Sequence, residues 1–81
     1  MEQWEYAIVE WLWNENWIHY LLPDGTHKRL KGSYAEVVEL LTRLGQEGWE
    51  VVSAVATGNW ILWTLKRQKD SAKTTLDLLE L

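Results

Sequence analysis

The chain has 81 residues, a net charge of −4 at neutral pH and no cysteine. This length indicates one domain with a small core, and the lack of cysteine excludes disulfides and thiolate metal sites as a source of extra stability. We therefore expect oligomerisation or unusually dense apolar packing to supply that stability.

Composition and charge also narrow the classes of partner. The pI is near 5.0, so the chain lacks the overall basic field that drives binding to a phosphate backbone, and we predict no nucleic-acid partner. No segment approaches the roughly 20 apolar residues of a membrane span. The acidic, aromatic start MEQWEYAIVEW lacks the basic region of a signal peptide, so the sequence predicts a cytoplasmic protein with no membrane partner.

Four strands are predicted, two before and two after a helix. They are rich in aromatic and β-branched residues, and the turns between members of each pair contain Asn or Gly. The turn PDGT at 23–26 is followed by HKRLKG, which predicts at most a short extra strand at 26–30. The four segments are 4–13, 17–22, 49–56 and 60–67.

A single amphipathic helix is predicted from Ser33 onward. Ser33 and Glu36 match the capping-box spacing, and Gly48 suits the left-handed position that follows a helix. The apolar residues recur at helical spacing and predict one buried stripe. They are Tyr34, Val37, Val38, Leu41 and Leu44. The predicted fold class is therefore α+β, with the order β-β-α-β-β, an antiparallel four-stranded sheet and one helix packed on one face.

The predicted domain covers residues 1–67, and residues 68–81 form a polar linker and a short apolar tail. The tail ends in LDLLEL, which is too short to hold a helix alone. One interpretation is that its leucines dock on this protein or on a protein partner, and the other is that the tail frays. The leucines concerned are Leu76, Leu78, Leu79 and Leu81.

Both faces of the predicted sheet carry apolar side chains. The first strand has Trp4, Tyr6 and Ile8 on one face but Val9 and Trp11 on the other. One helix of about 14 residues covers one face only, because it is roughly 21 Å long. The uncovered face predicts self-association through tryptophans, most simply as a homodimer. The predicted interface residues are Trp11, Trp13, Trp17, Trp60 and Trp63.

A ligand-binding alternative uses the same tryptophans. Tryptophan rings offer flat faces for an aromatic ligand, and a pocket between subunits would be lined by them. Two basic clusters would contact an anionic ligand such as a nucleotide if they lay together beside exposed tryptophan, although solvated charges on loops and sheet edges are the usual explanation. The basic residues considered are Lys28, Arg29, Lys66 and Arg67.

The sequence does not show a catalytic or metal-binding pattern. His19 and His27 are the only histidines, and no cysteine or carboxylate cluster accompanies them. No nucleophile stands beside a base, and the strand carboxylates Glu5, Glu10 and Glu50 suit polar strand positions or cross-strand ion pairs. We predict a non-enzymatic protein with no cofactor and no metal.

Three segments resemble a known family. WEYAIVE at 4–10, LLTRLGQEGWEVVSAV at 40–55 and WILWTLKR at 60–67 are similar to the small bacterial and phage family known as domain of unknown function 4177. The resemblance implies a small antiparallel sheet with one packed helix, and it brings no catalytic residues. The chain departs from the family pattern in the Trp-rich stretch 11–17 and from Gln68 onward. A function particular to this protein is expected there.

Overall fold

The computed structural model describes residues 3–69, which form one antiparallel sheet and one helix. Predictions for the tail, including its four leucines, lie outside the described residues. The elements in chain order are β1 (Trp4–Leu12), β2 (Trp17–Leu21), β3 (His27–Lys31), α1 (Tyr34–Gln46), β4 (Glu50–Thr57) and β5 (Trp60–Gln68).

The sheet has five strands in the order β3-β2-β1-β5-β4, and every neighbouring pair is antiparallel. The α+β class, the antiparallel sheet and the single helix are therefore confirmed. The sheet has five strands and not four, because the optional short strand predicted at 26–30 is present as β3. HKRLK forms a full strand because β2 supplies its backbone partners, although only Leu30 among its residues is apolar. β1 lies at the centre, paired with β2 on one side and with β5 on the other.

The core lies between α1 and one face of the sheet, which we call the helix face. Seven apolar residues are buried there, and none of the described polar residues is buried. In β1 the buried residues are Ala7 and Val9, which alternate with exposed neighbours, as a half-covered strand requires. The full set is Ala7, Val9, Ile18, Val37, Leu44, Trp49 and Leu65.

Helix α1 begins and ends at the residues that the sequence predicts, with Ser33 and Glu36 at its start and Gly48 after its end. At the start, the carboxylate of Glu36 accepts hydrogen bonds from the backbone N–H of Ser33 at 2.7 Å and from its hydroxyl at 3.1 Å. These bonds lower the pKa of Glu36, the backbone N–H contributing more than the hydroxyl. The charged carboxylate therefore fixes the first turn of the helix.

The helix ends in a Schellman motif around Gly48, which has a φ of +94°. The N–H of Trp49 donates to the Leu44 carbonyl and the N–H of Gly48 to the Gly45 carbonyl, both at 3.0 Å. The predicted role of Gly48 is thus confirmed. Trp49 leaves this turn directly into the core, where it is 5% exposed.

The buried stripe of α1 is narrower than predicted. Val37 and Leu44 are buried, and Leu40 and Leu41 pack against the same cluster, but Val38 is 60% exposed. Val38 lies about 100° around the helix from Val37, because the helix has 3.6 residues per turn. Tyr34, at 71% exposure, lies on the same flank. Including Tyr34 and Val38 in the stripe was wrong.

Within residues 3–69, no helix is both long enough and apolar enough to cross a membrane.

Candidate interaction surface

The face of the sheet opposite α1 has no element packed on it within residues 3–69, and we call it the open face. Residues paired across antiparallel strands share a face, so the register shows which side chains lie there. Ile8 pairs with Leu21 and with Thr64, and Leu62 pairs with Glu10 and with Val55. The open face is therefore a continuous surface from β2 to β4.

A band of exposed apolar side chains crosses this open face. Tyr6 is 57% exposed, Ile8 37%, Leu21 45% and Val55 53%, and the partly buried Leu62 lies between Ile8 and Val55. We call these five residues the open-face band. Contiguous exposed apolar patches on a small protein mark binding surfaces more often than scattered single residues do.

The structure does not bring the five predicted tryptophans onto one face. Trp17 and Trp60 lie on the open face, whereas Trp11 and Trp63 lie on the helix face, where both pack against the core. Trp13 lies in the turn after β1, and its ring meets that of Trp11 edge-on at 6.0 Å between centroids. The Trp11 indole N–H is buried without a hydrogen-bond partner in the described part of the chain.

The tryptophans of the open face have polar partners within the same chain. Arg29 and Lys31 lie over the Trp17 ring, at 4.3 Å and 4.9 Å from its centroid. The ammonium of Lys66 lies 4.1 Å from the centroid of Trp4, which sits at the other end of the sheet. Cation–π contacts of this kind attract the cation to the face of the ring and so give each ring a partner within the chain.

Trp60 completes this set of partnered rings. Its indole N–H donates to the carboxylate of Glu10, which lies on the same face. The aliphatic residues and Tyr6 of the band, unlike the tryptophans of this face, have no such partners among residues 3–69.

The two basic clusters lie apart. Lys28 and Arg29 are in β3, Lys66 and Arg67 are in β5, and strands β2 and β1 separate them. Each pair also points to both faces, because consecutive residues of a strand alternate. The four cations therefore do not converge on one anion site in this chain.

Lys66 and Arg67 also have partners of their own. Lys66 lies 3.9 Å from the Glu50 carboxylate on the open face. Arg67, on the helix face, forms an ion pair with Glu5, donates to the Glu47 carbonyl at 3.0 Å and lies 4.5 Å from the centroid of Trp49. Arg67 thus ties the end of α1 to the end of β5.

A shallow depression of about 270 Å³ lies within the open-face band, where Ile8, Leu21 and Leu62 line it. His19 and His27 border it, with ring centroids 5.8 Å apart, and Glu10 lies beside His19 across the strand pair. The described residues contain no group of three His, Cys, Asp or Glu side chains that could hold a metal ion. The depression is a mainly apolar recess with two imidazole rings and one carboxylate at its border.

The interface predicted from the sequence contains none of the five band residues. A prediction by residue type favours tryptophan, so it leaves out Tyr6, Ile8, Leu21, Val55 and Leu62. The usable signal was the period of two in the first strand, which places Tyr6 and Ile8 on the same face as Trp4.

Comparison with known proteins adds no relative: no family model matches the chain, and no curated protein or solved structure does either. The resemblance to domain of unknown function 4177 therefore stays a prediction.

Proposed function

We propose that this protein is a non-enzymatic binding module that associates with a second copy of itself through the open face. The observation that carries the proposal is the open-face band, in which Tyr6, Leu21 and Val55 each have about half of their surface in contact with solvent. A second copy would remove this apolar surface from water, at roughly 25 cal/mol for each Å² buried.

The small core supports association. Only seven of the described residues are buried, all on the helix face. A domain of this size gains little stability from one core, and the chain has no cysteine with which to add a disulfide. Burial of a second apolar surface between copies would supply the missing stabilisation.

The area of the open face fits a symmetric dimer. Neighbouring strands lie about 4.8 Å apart, so five strands give a width of roughly 24 Å. The strands average about seven residues, and each residue adds about 3.3 Å, so the length of the face is also roughly 24 Å. This plane approaches the area of about 800 Å² that each partner contributes to a standard interface. Arg29 and Lys31 lie on the edge strand β3, where they stay solvated at the rim.

The test places a charge in the band. The variant Ile8→Lys puts an ammonium in the middle of the proposed interface, where burial without a partner costs several kcal/mol. We expect its mass in solution, measured by sedimentation equilibrium, to be half that of the parent protein. Val38→Lys is the matched control, because Val38 is exposed on the outer flank of α1. An unchanged mass for Ile8→Lys contradicts the proposal.

A second candidate function is ligand binding between subunits, favoured by the depression beside His19 and His27. Covering the open face with a second copy would close this recess into a pocket lined by imidazoles and apolar side chains. Its mainly apolar lining suits the flat base of a compound such as a nucleotide, whose phosphates would reach Arg29 at the rim of the face, next to His19 across the strand pair.

Tryptophan fluorescence separates the two candidates. Trp60 contacts Glu10 beside the depression, so a bound nucleotide should change its emission. We expect saturable quenching with a panel of nucleoside mono-, di- and triphosphates if the pocket is used, and loss of this quenching in His19→Ala. Unchanged emission and no heat in calorimetry with every nucleotide remove this second candidate.

A further inference from the structure

The two edges of the sheet differ in how they meet solvent. β4 forms one edge, and all eight of its residues are exposed, including the three valines at 46 to 53%. One side of its backbone pairs with β5, and nothing described in residues 3–69 pairs with the other side. Such an edge is a template for another strand.

The opposite edge carries the charges that natural sheets use against such pairing. β3 reads HKRLK, with Lys28, Arg29 and Lys31 among its five residues. β4 reads EVVSAVAT and has a single charged residue, Glu50, at its beginning, with no Lys, Arg or Pro. Lysine and proline on an edge strand oppose edge-to-edge association, so side-chain charge protects β3 and does not protect β4.

A β-bulge limits the part of β4 that is regular. The pairing with β5 shifts between Val51 and Ser53, which leaves Val52 as the extra residue. Beyond the bulge, residues 53–57 pair with β5 without interruption. This stretch contains only small, hydroxyl or β-branched side chains, so five residues of unguarded and neutral strand are available to a partner.

We propose that β4 pairs with β4 of a second copy, antiparallel, about a twofold axis at Val55. This register places Val55 opposite itself, Ala54 opposite Ala56 and Ser53 opposite Thr57. Every opposed pair is neutral, and Glu50 and the bulge fall outside the paired stretch. Two small alanines per pair also let the backbones meet without a clash on the helix face.

Because the two edges differ in charge, this contact joins two copies and does not continue into a filament. Head-to-tail pairing of β3 with β4 would continue from copy to copy into an open filament, whereas β4 with β4 uses up the one neutral edge of each chain. The cations of β3 then lie at both outer edges of a ten-stranded sheet. This contact goes beyond the proposed function, because it uses the edge of the sheet instead of the open face.

The two contacts are compatible. In-plane pairing keeps both open faces on the same side of the joined sheet, so two such sheets can stack open face to open face. The expected assembly is a closed tetramer with perpendicular twofold axes, a common symmetry of soluble oligomers.

Sedimentation equilibrium on three variants distinguishes the contacts. The edge variant combines Ala54→Lys with Ala56→Lys, which places like charges opposite each other across the proposed strand pair. The matched control is Ala35→Lys, on the exposed side of α1. We expect a tetrameric parent and control, a dimer for the edge variant, a dimer for Ile8→Lys and a monomer for the combination. A mass unchanged in the edge variant, or a monomeric parent, overturns the edge contact.

These masses separate the two proposals. If Ile8→Lys lowers the mass and the edge variant does not, the open-face contact stands and the edge contact fails. If only the edge variant lowers the mass, the edge contact stands and the open-face contact fails.

Disulfide crosslinking tests the register directly, because the protein has no cysteine of its own. Residues opposed in an antiparallel pair have Cα atoms about 4.5 to 5.5 Å apart, within the range of a disulfide. We expect an equimolar mixture of Ala54→Cys and Ala56→Cys chains to crosslink on mild oxidation far more than either chain alone. Both positions share the helix face, which open-face stacking leaves far apart.

The control for crosslinking is Ala35→Cys. Crosslinking of the mixture no greater than that of Ala35→Cys overturns the edge contact, and dominant crosslinking of Ala54→Cys with itself overturns the register centred on Val55.

Discussion

The two sides of strand β1 have nearly the same apolar character and opposite environments. Ala7 and Val9 are 1% and 0% exposed, while their neighbours Tyr6 and Ile8 are 57% and 37% exposed. The helix accounts for the difference, because it packs on the side of Val9 and leaves the other side uncovered. Apolar side chains alone therefore do not identify a core. Substitutions on the helix face should reduce folding stability, and those on the open face should reduce assembly.

The largest expected contrast is between two leucines of β5. Leu65 is 1% exposed in the core, whereas Leu62 lies on the open face. In the Ile8→Lys background, which removes open-face association, Leu65→Ala should lower the free energy of unfolding by about 2 to 5 kcal/mol. Leu62→Ala should lower it by less than half as much. Urea denaturation measures both, and equal losses would contradict the difference between the faces.

Adjacent cations of β5 provide a second contrast. Arg67 reaches Glu5, the Glu47 carbonyl and the Trp49 ring on the helix face, whereas Lys66 reaches the exposed Glu50 and Trp4 on the open face. We expect Arg67→Ala to cost about 1 to 2 kcal/mol of unfolding free energy and Lys66→Ala at most about 0.5 kcal/mol. Thermal unfolding at two salt concentrations measures both. A larger loss for Lys66→Ala would show that the open face contributes more to the fold.

The turn that places α1 on the helix face can be tested with two glycines. Gly48 has a φ of +94°, so Gly48→Ala should destabilise the fold by about 1 kcal/mol. Gly45 lies inside α1 with open space around its Cα, so Gly45→Ala should stabilise by about 0.5 to 1 kcal/mol. Denaturant unfolding reports the opposite signs. Unchanged or higher stability in Gly48→Ala would mean that the turn does not require the left-handed angle, and lower stability in Gly45→Ala would contradict the open space at that position.

The smallest expected effect is a pH dependence at the start of α1. Hydrogen bonds from Ser33 lower the pKa of Glu36 in the folded chain, so the ionised carboxylate stabilises the fold above the ordinary glutamate pKa. This contribution is lost as the pH falls through the lowered pKa. Glu36→Gln keeps an acceptor oxygen but not the charge. Its stability relative to the parent should be lower and constant above about pH 5, and the difference should vanish in more acidic solution.

A second carboxylate contributes to the pH dependence of stability over a similar pH range. The pKa of Asp24 is also lowered, first by the hydroxyl and then by the backbone N–H of Thr26. Asp24 is present in both chains, so its contribution cancels from their difference. A difference that persists unchanged to pH 2 would contradict the assignment to Glu36.

Local chemistry predicted the helix and its ends well. Ser33, Glu36 and Gly48 act through neighbours within a few residues, so their roles follow from spacing alone. The strand of HKRLK was underestimated because its stability comes from β2, which long-range pairing brings beside it. Tertiary pairing, and not residue preference, determines that element.

The interaction surface was predictable only in outline. The sequence indicated that one apolar face would remain after a single helix had packed, and alternation in the first strand placed Tyr6 and Ile8 together. The tryptophans were grouped by type, although Trp11 and Trp63 lie on the helix face and Trp17 lies under Arg29 and Lys31. Which cation lies over which ring depends on side-chain positions that strand patterns do not contain.

The pairing of β1 with β5 joins residues that are far apart along the chain. Trp4 meets Gln68 in the ladder, and the pairing runs the whole length of both strands. Closing so long a loop costs chain entropy before the paired strands repay it, whereas the neighbouring strands β4 and β5 meet across a short turn. We therefore expect the meeting of β1 with β5, and not the β4–β5 hairpin, to limit the rate at which this sheet folds.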